Sequence, residues 1–253
     1  LEAAQPNAPV AFFGGVVNNA TFEPDVQSPG GISAIFGIGF ATGTVTQPTT
    51  LPLPTEIAGT RVLVNDRPAP LYFASAGQIN FQVPYDTPVG TAIVRVERGG
   101  QKGNGVSMQI GRSQPRLLRL TIDDHGIAVN QDGSFPIPRT PGLNSRPARA
   151  GETLTLYAIG FGQTTPAVQS GAAAPTDPLG RAPGNFRVLF GTPGPFSSPI
   201  EVTPLYAGLT PNFVGLYQVN VTIPEGAPRG NAVPISLVSD TEGTSNRVTI
   251  AIE

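Results

Sequence analysis

His125, in Asp123-Asp124-His125-Gly126, is the only histidine of the chain and sets the limit on much of its chemistry. A Ser-His-Asp relay would have to run through it. No Gly-x-Ser-x-Gly elbow presents a serine, and the residues around His125 read as a polar turn. Cysteine is absent, so one imidazole and no thiolate cannot fill a tetrahedral zinc shell. Calcium is conceivable on the oxygens of Asp123, Asp124 or Asp132, but the spacing of an EF-hand loop is missing. Paired carboxylates for glycoside hydrolysis would have to come from acids such as Glu23, Asp25, Asp86, Glu225, Asp240 and Glu242. Their turn-like or charged surroundings read as ordinary surface charge. Gly37-Ile38-Gly39 and Gly160-Phe161-Gly162 lack the following helix and the lysine of a phosphate loop. No catalytic residue, metal ligand or cofactor site is expected.

Two polar positions and one aromatic segment remain. Asn80 and Asn220 occur at matching points of two similar strands, where asparagine is disfavoured. A polar ligand face and a structural bond to a neighbouring backbone are the two readings, and duplication favours the structural one. The segment 203–218 presents Tyr206, Phe213 and Tyr217. These rings suit either a carbohydrate- or protein-binding platform or the junction between two domains.

The elements that would position these residues are strands. Gln78-Ile79-Asn80-Phe81-Gln82-Val83-Pro84 and Gln218-Val219-Asn220-Val221-Thr222-Ile223-Pro224 alternate polar and apolar residues and stop at proline. Period two predicts half-buried strands with Ile79, Phe81 and Val83, or Val219, Val221 and Ile223, facing a core. The 31 glycines and 28 prolines leave no uninterrupted run longer than Arg116–His125 or Thr244–Glu253, too short for most stable helices. The chain therefore reads as all-β. Asn65-Asp66 suits a hairpin turn between Arg61–Val64 and Pro70–Phe73. Asn130–Ser134 reads as another, between Gly126–Val129 and Phe135–Pro138.

The halves repeat in order. Ile38-Gly39-Phe40 matches Ile159-Gly160-Phe161, Val62-Leu63 matches Val188-Leu189, and Leu71-Tyr72 matches Leu205-Tyr206. Gln78, Gly90, Asn104 and Val106 then match Gln218, Gly230, Asn246 and Val248. The offset only grows, with each step expected between strands, as loops lengthen on a duplicated scaffold. Two tandem immunoglobulin-like antiparallel β-sandwiches of about seven strands each are predicted, over 1–113 and 114–253. Net charge is -2 with 13% charged residues, and no basic stripe suits nucleic acid. No apolar run is long enough to span a bilayer. The opening Leu1–Pro6 lacks the regions of a signal peptide, so an export signal is expected to have been removed.

Several segments together resemble one family. They include Leu51-Pro52-Leu53-Pro54-Thr55, Val64-Asn65-Asp66 with Ala69-Pro70-Leu71, and Gln78–Pro84. In the second half they are Asn130-Gln131-Asp132-Gly133, Tyr206-Ala207-Gly208-Leu209, Gly215–Asn220 and Ser245-Asn246-Arg247-Val248-Thr249-Ile250. The pattern is similar to the C-terminal domain abundant in secreted proteins of acidobacteria such as Solibacter. Asp66 departs from it where glycine is frequent, which puts the turn type in question. Each half also resembles an IPT/TIG immunoglobulin-like module. The resemblance implies an exported, non-catalytic structural or presentation module at the end of a larger secreted or cell-surface protein. The alternative is an adhesion domain for a polysaccharide or a cell-surface protein, using the aromatic segment.

Overall fold

The computed structural model describes residues 7–42, 46–120, 124–194, 198–240 and 243–253. The described residues contain strands and no α-helix. The chain forms two compact units. The first runs to Gln114 and also takes in Gly160–Gly180 and Pro211–Gly215. The second holds Pro115–Ile159, Arg181–Thr210 and Leu216–Glu253. Two segments of the sequence's second half thus fold with the first unit.

In the first unit the strands are β1 (Val10–Asn18), β2 (Ile32–Ile38), β3 (Thr60–Val64), β4 (Arg67–Pro68), β5 (Leu71–Ala74), β6 (Gln78–Gln82), β7 (Gly90–Arg98) and β8 (Gln101–Ile110). One antiparallel sheet has the order β1-β2-β6-β5 and the other β4-β3-β7-β8. This is the immunoglobulin arrangement, in which the second and third strands lie in different sheets. Ile79, Phe81 and Val83 are completely buried, in one core with Ile35, Leu71, Val62 and Val94.

The second unit adds β9 (Arg116–Leu117), β10 (Ala128–Val129), β11 (Thr153–Ile159), β12 (Phe186–Phe190), β13 (Ile200–Val202), β14 (Tyr206–Leu209), β15 (Tyr217–Thr222), β16 (Gly230–Ser239), β17 (Gly243–Thr244) and β18 (Val248–Ile252). Its sheets run β10-β11-β15-β14, with β9 on β11, and β13-β12-β16-β17, with β18 on β16. The topology repeats that of the first unit. Val219, Val221 and Ile223 are buried with Leu154, Leu156, Val188, Ile235 and Ile250.

Register shows where the copies differ. Phe36 pairs with Gln78, and Tyr157 pairs with Gln218, so both central strand pairs keep the spacing read from the sequence. Two single-residue steps, however, fall inside strands, where the sequence pattern places steps only in loops. On β5, Leu71 faces Phe81 while Phe73 faces Asn80, leaving Tyr72 as the extra residue of a bulge. Tyr206 faces Asn220, so its counterpart is Phe73 and not Tyr72. On β16, Gly230 faces Ile252 and Val233 faces Ile250, a second bulge. A bulge absorbs one residue without moving the flanking side chains to the other face.

Two expected hairpins are rearranged. Val64 pairs with Arg67 around Asn65 and Asp66, whose φ of 48° and 62° give a type I′ turn. That turn joins β3 to the short β4, and Leu71–Ala74 instead crosses to the other sheet. The turn at Asn130–Ser134 closes through Asn130 N–H to the Ser134 carbonyl at 2.8 Å. Phe135–Pro138 does not return along β10; Phe135 bridges Ser145.

Candidate functional site

Several of the polar side chains singled out by type are held by neighbours. His125 Nδ1 lies 3.1 Å from Thr249 Oγ1, and its backbone bridges the same residue. Asp124 is ion-paired with Arg119. Asp123 and Glu242 lie outside the described residues. Asp132 Oδ1 accepts from Ser134 N–H and hydroxyl, at 3.0 and 2.5 Å, while Oδ2 accepts from Arg146 Nε at 2.8 Å. Ser134 and Arg146 hold this carboxyl well below the usual carboxylate range. Arg146 is almost buried and also forms a two-pronged pair with Glu152, at 2.9 and 3.0 Å. Asp132 and Glu152 thus serve one guanidinium, which staples the 130–134 turn to the segment before β11. Among the described residues, no three His, Asp or Glu side chains gather as a metal shell requires.

Asn80 and Asn220 take equivalent places. The Gln78 side-chain amide donates to Asn80 Oδ1 at 2.8 Å, and Gln218 donates to Asn220 Oδ1 at 3.3 Å. The partner is the glutamine two residues earlier on the same sheet face, where a neighbouring loop backbone is expected from the sequence.

Asn104 and Asn246 form a closer pair of equivalents. Asn104 Oδ1 accepts Ala11 N–H at 2.9 Å, and its Nδ2 donates to the Ala11 carbonyl at 3.0 Å. Asn246 does the same to Leu117, at 2.8 and 3.0 Å. An asparagine side chain carries an amide like that of the backbone, so it can stand in for a ladder partner. Each clasp joins the entering strand of one sheet to the closing segment of the other. The sequence pairs these asparagines as a match between halves; the bonding role becomes visible only in three dimensions.

The segment 203–218 does not form one aromatic platform. Tyr217 is wholly buried on β15, opposite Ala158 and Leu209. Tyr206 is 6% exposed, and its hydroxyl donates to the Leu209 carbonyl at 2.9 Å. Phe213 is 55% exposed and belongs to the first unit. That unit holds its inserted segments through residues to which the sequence assigns no such role. Buried Gln82 accepts Gly171 N–H at 2.7 Å and donates to the Gly30 carbonyl at 3.2 Å. The Tyr72 hydroxyl donates to the Val214 carbonyl at 3.0 Å, and Tyr85 N–H to Ser170 Oγ at 2.9 Å. A side chain at Gly215 would press on Gln82, Tyr72 and the Gly30 carbonyl, at 2.9–3.1 Å, and its φ is 58°. Glycine is required there.

Two surface depressions stand out among the described residues. One, of about 580 Å³ in the first unit, is lined in part by the Arg67–Asp86 ion pair, Tyr85, Gln163 and Gln169. The other, of about 490 Å³ in the second unit, is lined by the first residues of β12 and of β14. Arg181 packs over the Tyr206 ring there, 5.2 Å from its centre. Its backbone bridges Gly208, and Ala182 N–H donates to the Ala207 carbonyl at 3.0 Å. Across the depression Arg187 pairs with Glu201 at 2.8 Å and with Asp240 at 2.5 Å. Arg187 lowers the Asp240 pKa by hydrogen bonding, while burial raises that of Tyr206.

No family model matches the chain, and no curated protein matches it. Solved structures give weak likenesses. SGBP-B from a complex xyloglucan utilization locus in Bacteroides uniformis is 14% identical with a TM-score of 0.28, covering 96% of this chain and 49% of that one. This chain therefore spans about half the length of that protein. Domains 5–6 of the S-layer protein SbsC are 10% identical with a TM-score of 0.27, over 96% of this chain and 99% of that one. The DIP-gamma IG1+IG2 pair is 12% identical with a TM-score of 0.20, over 100% and 99%.

Proposed function

We propose that this chain is a non-catalytic, load-bearing module of a secreted or cell-surface protein, which spaces or presents other parts of that protein. The observation that carries this reading is the duplicated asparagine clasp. Tension on a sandwich acts first on its entering and closing strands. In the first unit those are β1 and β8, which Asn104 joins by two hydrogen bonds to a single residue. Asn246 repeats the arrangement with Leu117 in the second unit. Two parallel bonds at the point of loading must break together, which resists pulling more than bonds opened in succession. The clasps also satisfy N–H and C=O groups that would otherwise leave an open strand edge for unwanted pairing. The resemblance to the acidobacterial C-terminal domains supports an exported setting at the end of a longer protein. Among the described residues no helix is long and apolar enough to cross a membrane.

Single-molecule extension of the chain between its ends tests the proposal. Asn104→Ala and Asn246→Ala should each lower an unfolding force while leaving the spectroscopic fold unchanged. Unaltered force distributions in both variants would remove the basis for a load-bearing role.

A further inference from the structure

Arg181 carries the inference furthest. Among the described residues it has no carboxylate partner, whereas Arg187 across the same depression has two. Its guanidinium rests on the Tyr206 ring, and its backbone is pinned to β14 through the Gly208 bridge. The ring in turn is nearly buried and tied by its hydroxyl. A cation held over an aromatic face, on a backbone pinned to its neighbour, keeps its N–H donors near one place before any ligand arrives. Among the described residues, the only carboxylate lining the depression, Asp240, is already held by Arg187. Among the described residues lining the depression, Arg181 is thus a charged group with no ion pair, at a cavity of about 490 Å³, within the range of small-molecule sites.

We infer that this depression of the second unit binds an anionic saccharide, with Arg181 gripping a sugar carboxylate. A planar carboxylate matches the guanidinium fork with two parallel bonds. The rest of the lining suits hydroxyl groups, each of which both donates and accepts. The exposed Thr203 hydroxyl offers both roles, and Asn185, whose side chain also bonds to Asp240, adds an amide to the lining. Tyr206 supports the ligand indirectly, since Arg181 covers its ring. This differs from the aromatic platform that is one of the two readings of the sequence: the tyrosine positions the cation and leaves the sugar contact to it. The site is independent of the strand clasps, so a load-bearing role and saccharide binding stand or fall separately.

The test is titration calorimetry of the full chain with a defined oligogalacturonate, beside its carboxyl-reduced neutral counterpart and a poly-glutamate of similar charge. The oligogalacturonate should bind, with an affinity that falls as salt rises, and the reduced form should not. Arg181→Gln should weaken binding at least about tenfold, the loss expected for a charge-assisted pair. Arg181→Lys keeps the charge without the fork and should lose severalfold, a second readout should the glutamine variant fold poorly. Absence of oligogalacturonate binding, equal binding of the reduced form, or unchanged affinity in both Arg181 variants would overturn the inference. Equal or tighter binding of poly-glutamate would overturn the saccharide assignment.

Discussion

Asparagine, aspartate and histidine are residues by which a chain of this composition could do chemistry, and Asn80, Asn220, Asp124, Asp132 and His125 are each bonded within the fold. Asp132 illustrates the energetics. Its carboxyl is held below the ordinary value by Ser134 and Arg146, so the folded state favours the charged form. A lowered folded-state pKa contributes stability above the unfolded value near 3.8, and that contribution disappears as pH falls below it. The urea midpoint should therefore decline on acidification below about pH 4, and Asp132→Asn should flatten that decline. Because Asp132 is exposed, the effect is modest and should shrink further in high salt. An Asp132→Asn variant with the same acid profile as the unaltered chain would show that the turn does not need the charge. Nothing near Asp132 in the sequence announces Arg146, fourteen residues on, as its partner.

Strands carry most of what the sequence makes readable. The alternation in Gln78–Pro84 and Gln218–Pro224 is written by burial on one face, so the inward residues could be named without coordinates. Phe81 and Val221 are both fully buried, and replacing either with alanine should cost about 2–5 kcal/mol, the phenylalanine at the upper end. Equilibrium unfolding that shows less than about 1 kcal/mol for both would mean that the cores relax around the gap. Bulges were not readable, because an extra residue in a strand leaves no mark in a pattern of period two. Tyr72 looked like the match of Tyr206, yet the bulge turns it toward the Val214 carbonyl. Burial raises its pKa far above the ordinary 10. A raised folded-state value means stability is retained below pH 10 and lost as pH rises beyond it. Tyr72→Phe should weaken the chain by about 1 kcal/mol at neutral pH, through loss of one hydrogen bond. The same variant should be less sensitive to alkali; equal alkaline unfolding of both proteins would contradict the assignment. Likewise, the inserted segments could not be placed from the sequence: Gln82 reads as one more polar residue of an alternating strand, and its partners Gly30 and Gly171 lie 52 and 89 residues away.

At the scale of the whole molecule, two units share one topology and one method of fastening the entering strand. The sequence matched Asn104 with Asn246, because both keep their distance from the closing strand. It could not show that both amides reach back to the first strand, 93 and 129 residues away. The clasps need not be equal. Asn104 is exposed and Asn246 only half-exposed, so water competes more strongly for the first and its contribution should be smaller. The most direct measurement is residue-resolved amide exchange on the full chain, comparing it with Asn104→Ala and Asn246→Ala. Each clasp holds one named N–H, that of Ala11 or of Leu117. Loss of bonds worth about 0.5–1.5 kcal/mol each should speed exchange at that amide by roughly tenfold for the pair. Exchange should be faster at Ala11 in the first variant and at Leu117 in the second, with the core amides of β6 and β15 unchanged. Protection at both clasped amides that survives both substitutions would contradict that expectation.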